Sequence, residues 1–307
     1  MAKPVHGHRG PIVVSACGRT HRGRVRPENQ DRLLVADLAE GILDAHTADE
    51  WGRGSSVGPL QFELSERGAI LLVADGMGGR AGGARASTLA VTAVRRAMAD
   101  GAPHGDGAAP DGFVTRLCEA LESANRDILE ESEREERLRG MGTTATLAGI
   151  QDGIVYLAQV GDSRAYIVRG GSLARLTRDQ SLVQDMIDSG LLDEKDAHAV
   201  RKNVILQALG AGRAVEPAVT YHELRDGDVV LLCSDGLSHV VADEEILEAV
   251  AQSADCMTMC DRLVGLANDR GGPDNVTVLV ARLEGGGLEP ASGAQELASR
   301  EWTSSRR

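Results

Sequence analysis

The sequence predicts one α+β domain, on three observations. Short β-branched and aliphatic runs recur along it, and two of them are joined by the hairpin signal Asp152-Gly153. Helical periodicity falls between these runs in pairs of segments, which argues against the strict βαβ alternation of a parallel sheet. The pattern also continues without a linker from Pro11 to Leu283, so the 307 residues are read as a single domain spanning 11–284.

The strand candidates, in order, are 12–16, 33–37, 69–75, 143–150, 153–160, 164–169, 228–235 and 275–283. Several are apolar on both faces, as a sheet covered on both sides requires. Between them, 85–100 sets Leu89, Val91, Ala93, Val94 and Ala97 near one stripe, and 112–139 does the same with Phe113, Leu117, Leu121, Ile128 and Leu129. Two shorter helices are expected at 243–250 and 257–268. Residues 44–58 and 101–112 read as polar connections, 1–10 as a flexible start and 285–307 as a disordered tail without periodicity.

Lys and Arg total 33 against 46 Asp and Glu, a formal charge of −13. That balance argues against a nucleic-acid binder or an anionic-membrane binder, which needs a basic face. With aromatic residues only 2% of the chain, the core has to be built from Val, Leu, Ile and Ala. The five cysteines lack metal-type pairing, so they read as reduced thiols. There is no signal-peptide pattern, and no uncharged stretch approaches the ~20 residues of a membrane span. The expectation is a cytoplasmic monomer.

Chemistry concentrates in one repeated pattern, an Asp at the end of an apolar strand. Asp75 closes LLVAD before a Gly cluster, Asp235 closes VVLLCSD, and Asp274 and Asp31 stand just before strands. One such Asp is an ordinary turn former. Four converging at one end of a sheet would repel unless cations neutralised them, and an all-oxygen set selects Mg²⁺ or Mn²⁺. The run Gly76 to Ala81 also fits the G-x-G-x-x-A dinucleotide fingerprint. Asp75 would then face a pyrophosphate, and no βαβ continuation follows. The other role for Gly76 is to offer its carbonyl to a metal ion.

Six ordered segments resemble the metal-dependent Ser/Thr protein phosphatases of type 2C in their bacterial form. They are R-V-R-P-E-N-Q-D (24–31), A-D-G-M-G-G (74–79), G-M-G-T-T (140–144), V-G-D-S-R (160–164), C-S-D-G-L (233–237) and G-G-P-D-N-V-T (271–277). The resemblance implies an antiparallel β-sandwich flanked by helices on both faces, in four αββα layers. It also implies two Mn²⁺ or Mg²⁺ ions at one edge and hydrolysis of phosphoserine and phosphothreonine by water the ions activate. Asp75 matches the bridging carboxylate, Gly76 the carbonyl on the first ion, and Asp235 and Asp274 the ligands of the second. Asp31 matches an outer carboxylate that orients the attacking water, Arg26 the guanidinium that grips phosphate, and 178–209 the flap beside the site. The natural partners are then phosphorylated proteins, with a Ser/Thr kinase as the opposing enzyme.

Three positions depart from the family pattern. Met77 replaces a frequent His, Gln30 replaces a frequent Glu, and a third metal beside Asp235 would meet Arg137 and His239 where carboxylates are usual. A third ion is therefore not expected to bind tightly. Asp162 reads as a residue fixing loop geometry, and His198, His6 and His8 as surface groups. Two other functions remain compatible with the residues: a phospho-binding relative without activity, and a phosphohydrolase of small molecules.

Overall fold

The computed structural model describes residues 10–39, 41–44, 54–100, 110–193, 195–196, 204–291 and 300–302. His6, His8 and His198 lie outside the described residues. In chain order the elements begin with strands β1 (Val13–His21), β2 (Asp31–Asp37), β3 (Gly41–Asp44), β4 (Gly54–Glu63) and β5 (Ala69–Met77). Helices α1 (Gly79–Asp100) and α2 (Pro110–Arg134) come next, then β6 (Gly142–Thr143), β7 (Ala145–Gln151), β8 (Ile154–Val160), β9 (Arg164–Arg169) and β10 (Ser172–Arg175). After α3 (Leu182–Asp188) come β11 (Ala218–Glu223), β12 (Arg225–Asp226) and β13 (Asp228–Cys233). The chain finishes with α4 (Asp235–Ser238), α5 (Asp243–Ala251), α6 (Cys256–Asp269), β14 (Val276–Glu284), β15 (Glu289–Pro290) and β16 (Arg300–Glu301).

Two antiparallel sheets stack face to face. One has the order β10-β9-β13-β14-β1-β4, and the other β16-β11-β8-β7-β5-β2-β3 with β6 on β5. The two-residue periodicity of the strands explains the layers. Leu33, Val35, Leu71 and Val73 meet Val230, Leu232, Leu279 and Ala281 between the sheets. The alternate residues Leu34, Ala36, Ile70 and Leu72 face α1 and α2, while Val229 and Leu231 face α5 and α6. Strands apolar on both faces thus lie between two cores, and the expected four-layer α+β sandwich is the one observed. All five cysteines are free thiols, four of them buried.

The differences from the sequence reading lie at edges and ends. Residues 54–58, expected in a polar connection, belong to β4, an edge strand on β1 whose other side faces solvent. The second long helix stops at Arg134, because Glu135 is extended (φ −116°, ψ 107°) and a short 3₁₀ turn returns the buried Leu138 to the core. The hairpin at Asp152-Gly153 is present, with φ of 51° and 74°, the left-handed pair such a turn needs.

The C-terminal residues correct a stronger expectation. Residues 285–291 and 300–302 are structured: β15 pairs with β12, and β16 pairs with β11, Thr220 opposite Glu301 and Tyr221 opposite Arg300. Trp302 donates its backbone N–H to Val219 O and sets its ring edge-on to Tyr156 and Tyr221, with centroids 5.5 Å apart in each case. Composition pointed to disorder because the segment carries one aromatic anchor and no periodicity. The anchor binds a groove made elsewhere in the chain. Among the described residues no helix is long and apolar enough to cross a membrane.

Two edge-to-face contacts and a covered sheet edge should be measurable. Trp302→Ala is expected to lower stability by about 2 kcal/mol, from lost aromatic contacts and burial. Urea unfolding checks this, and a midpoint equal to that of the wild type would show that the C-terminal strand adds nothing.

Candidate metal centre

The four sequence-picked carboxylates do converge. Antiparallel pairing of β2 and β5 places Asp31 directly opposite Asp75. Asp235 opens α4 at the end of β13, and Asp274 lies just before the neighbouring strand β14. Asp162, between β8 and β9, joins them. A cavity of about 600 Å³ at this end of the sandwich is lined by Arg26, Asp75, Gly76, Asp162, Asp235 and Asp274.

The remaining motif residues hold these groups in place. Asp75 O accepts from Thr143 Oγ1 and Thr144 N at 2.8 Å each, and Asp75 N donates to Thr144 Oγ1 at 3.0 Å. Asn275 accepts from Gln30 N at 2.8 Å and donates to Arg22 O and Glu28 O at 2.8 and 2.9 Å, which ties loop 22–30 to the Asp274 loop. Ser234 and Thr277 hydroxyls both donate to Asp31 Oδ2 at 2.7 Å. A side chain cannot stand at position 76, because a Cβ there would lie 2.1 Å from Gly83 O. The glycine lets the first turn of α1 close against β5, and the dinucleotide reading has no βαβ unit to support it.

Arg26 reaches across the cavity mouth, its Nη2 donating to Asp274 Oδ2 at 2.6 Å. Its pKa is raised, first by that hydrogen bond and further by the charges of Asp274, Asp235 and Asp75, while partial burial opposes the rise. Asp31 is fully buried, and its pKa is pushed up to about 7 by desolvation and by Asp235 and Asp274, against the two hydroxyl donors. Desolvation first, then Asp31 and Asp235, holds Asp75 well above the usual carboxylate range. Asp162 rises to about 7 for similar reasons, desolvation leading and Asp235 next.

One outcome departs from expectation. Arg137 points to solvent, 77% exposed and paired with Glu135, so it does not stand beside Asp235. Asp162 takes part instead: ligand atoms of Asp162, Asp235 and His239 lie within 4.8 Å of one another. His239 Nδ1 is 3.2 Å from Asp235 Oδ2. Burial opposes charge on His239, but the Asp235 hydrogen bond and the charges of Asp235 and Asp162 raise its pKa overall. The same contact brings Asp235 below its ordinary value despite desolvation. Asp162, read as a loop-geometry residue, thus also stands in a cluster whose atoms could hold an ion. A strand-end Asp in V-G-D-S-R carried the same signal as the other four, and only its neighbours separate a turn former from a ligand.

The donor set fits hard cations. Asp31 Oδ1, Asp162 Oδ1 and Asp235 Oδ1 are buried oxygens with no hydrogen-bond partner, and a buried acceptor left unmatched is costly unless a cation or water completes it.

Comparison with known proteins agrees with this geometry. The family model for protein phosphatase 2C matches residues 59–275. The chain belongs to the protein phosphatase 2C family. It is 42% identical over 271 residues to the serine/threonine protein phosphatase PstP of Mycobacterium tuberculosis, an alignment covering 88% of this chain but 45% of that protein. The chain thus spans about half the length of that relative. It is 33% identical over 263 residues to the serine/threonine phosphatase stp of Listeria monocytogenes, covering 85% and 93% of the two. The crystal structure of the PstP catalytic domain in complex with two manganese ions superposes with a TM-score of 0.70 at 36% identity, covering 89% of this chain and 99% of that one. Within this phosphatase 2C chain, G-T-T and P-D-N-V-T act as scaffolding and the strand-end Asp residues as candidate ligands.

A folded state that raises the pKa of Asp31 and Asp162 to about 7 binds protons more tightly than the unfolded chain, whose Asp residues ionise near pH ~4. The metal-free protein is therefore expected to lose stability as pH rises from about 4 to about 7. The raised His239 adds a loss only from about pH 6.5 upward, and the lowered Asp235 matters only below that window. Thermal unfolding in chelator across this range checks it, with Asp31→Asn flattening the slope. A melting temperature that climbs through the window in the wild type contradicts it.

Proposed function

We propose that this chain hydrolyses phosphoserine and phosphothreonine esters in proteins, with two Mn²⁺ or Mg²⁺ ions held by Asp75, the Gly76 carbonyl, Asp235 and Asp274. The observation that carries the reading is the convergence of these oxygens beside the Arg26 guanidinium in one cavity. The two manganese ions reported in the PstP catalytic domain, and the names of the relatives, support it. When bound, the ions lower the pKa of water and neutralise phosphoryl charge.

The chain's own groups do the rest. Arg26 presents a planar donor fork to the phosphoryl oxygens, exchanging its present acceptor, Asp274 Oδ2, for the substrate. Asp31 keeps one oxygen pinned by Ser234 and Thr277 and leaves Oδ1 to accept from the attacking water and take its proton. Met77 lines the cavity and carries no proton, so the leaving alkoxide takes one from solvent. Asp162, Asp235 and His239 form the place where a third ion would bind, and the imidazole favours Mn²⁺ over Mg²⁺ there. The physiological setting we infer is the cytoplasm, where a Ser/Thr kinase supplies the phosphorylated proteins and this chain, a monomer, opposes it.

Turnover of a phosphothreonine peptide and of para-nitrophenyl phosphate, with and without Mn²⁺, tests the reading. Chelator and Asp75→Asn are each expected to abolish turnover, and Arg26→Ala to lower kcat/KM by ~10²-fold with metal dependence unchanged. Full activity in Asp75→Asn would overturn the metal assignment, and inert wild type with metal would point to a phospho-binding protein. Hydrolysis of the small ester alone would point to small-molecule substrates.

The third site has its own check. Asp162→Asn is expected to shift the metal concentration for half-maximal turnover upward, while Arg137→Asp leaves it where it was. A shift in Arg137→Asp alone would return the site to the 3₁₀ turn before Gly140.

A further inference from the structure

The cavity has two lips. One is loop 22–30, which carries Arg26 and Pro27; the other is the flap, whose Val204 and Ile205 line the cavity wall. The exposed large hydrophobic residues among those described are Val25, Leu191, Val204 and Leu206, at 68%, 75%, 42% and 55% exposure. Scattered apolar side chains on a surface need no explanation. These are not scattered, because Val25 directly precedes Arg26 and the other three belong to the flap.

The flap helix repeats the pattern. Leu182, Val183, Met186 and Ile187 of α3 are all only half-buried, and none of its residues is buried. Backbone bonds lock this apolar surface to the catalytic end of the sandwich. Leu182 N donates to Val204 O at 2.9 Å, Leu206 N to Gln180 O at 2.8 Å, and Gln180 N to Gly161 O at 3.0 Å, beside Asp162. The Gln180 side chain reinforces the joint by accepting from Gly161 N at 2.7 Å. The apolar lip is therefore held in register with the carboxylates.

A phosphate group alone reaches Arg26 and the acidic floor. An extended polypeptide crossing the mouth also meets Val204 and Ile205 on the flap wall and, next to Arg26 in loop 22–30, the exposed Val25. Resting on the phosphoprotein reading above, we propose that these residues form a substrate-docking surface for aliphatic side chains next to the phosphorylated residue. The occupant is an extended phosphopeptide segment with Leu, Ile or Val within two positions of its phosphothreonine or phosphoserine. Continuity with the cavity selects this occupant, and the chain's charge of −13 offers acidic flanks no compensating attraction. Selectivity follows from burial of extra methylene groups, each of which discriminates by ~10-fold or more in a closed pocket and by less on an open lip.

The test is kcat/KM on phosphothreonine peptides in an alanine background, with Leu or Asp placed at each of the two positions on either side. Each protein's rate on para-nitrophenyl phosphate serves as the reference for its chemistry. The wild type is expected to favour Leu over Ala by about 10-fold in at least one of these positions, with Asp no better than Ala. Val25→Ser or Val204→Ser should flatten that preference. Equal turnover of the Leu and Ala peptides by the wild type would overturn the proposal, as would a preference that survives in the combined Val25→Ser, Val204→Ser variant. Hydrolysis of para-nitrophenyl phosphate with no phosphopeptide turned over would overturn the phosphoprotein reading, and this inference with it.

Discussion

Repulsion among aspartates is what the rest of this protein is arranged around. Asp31 and Asp75 stand directly opposite in an antiparallel ladder, a pairing that like charges disfavour. Asp162, Asp235 and Asp274 open on the same cavity. A fold that gathers five carboxylates has to stop them from turning outward, and it does so mainly through backbone and hydroxyl contacts. Thr143 and Thr144 grip the Asp75 main chain, and Ser234 and Thr277 pin Asp31 from the opposing sheet. The repulsion that remains acts as affinity for hard cations.

The motifs therefore divide the work in a way their spacing does not announce. Ligand candidates sit at strand ends, where the sheet fixes direction, while uncharged polar neighbours connect the loops. Asn275 joins the Asp274 loop to the backbone of loop 22–30, and so to Arg26. Gln180 joins the Asp162 turn to the base of the flap. The cavity carboxylates, Arg26 and the base of the flap are thereby referred to the same rigid strand ends.

The C-terminal segment and the Asp162 cluster share a cause. Both depend on partners far along the chain, Trp302 on Tyr156 and Tyr221, and Asp162 on Asp235 and His239. Local composition described each of them by what it lacks. A tail without periodicity read as disordered, and an Asp after a strand read as a turn former.

Much of the fold was legible in the chain alone. Two-residue and 3.6-residue periodicities reflect burial of individual side chains, and so they located the central strands and the long helices to within a few residues. Ordered motifs identified the family, and strand-end Asp residues marked the candidate ligands Asp75, Asp235 and Asp274. The edge strand β4 and the half-buried β11, which only the two-residue β16 separates from the sheet edge, were not legible, because a partly solvent-facing side leaves them polar. Tertiary structure alone decided that Thr277 serves Asp31 across 246 residues, that Arg137 faces water while Asp162 faces the cavity, and that Val204 and Ile205 of the flap line the same cavity as Arg26. Periodicity records whether a side chain is covered, whereas a site depends on which distant group covers it, and packing of the two sheets sets that register.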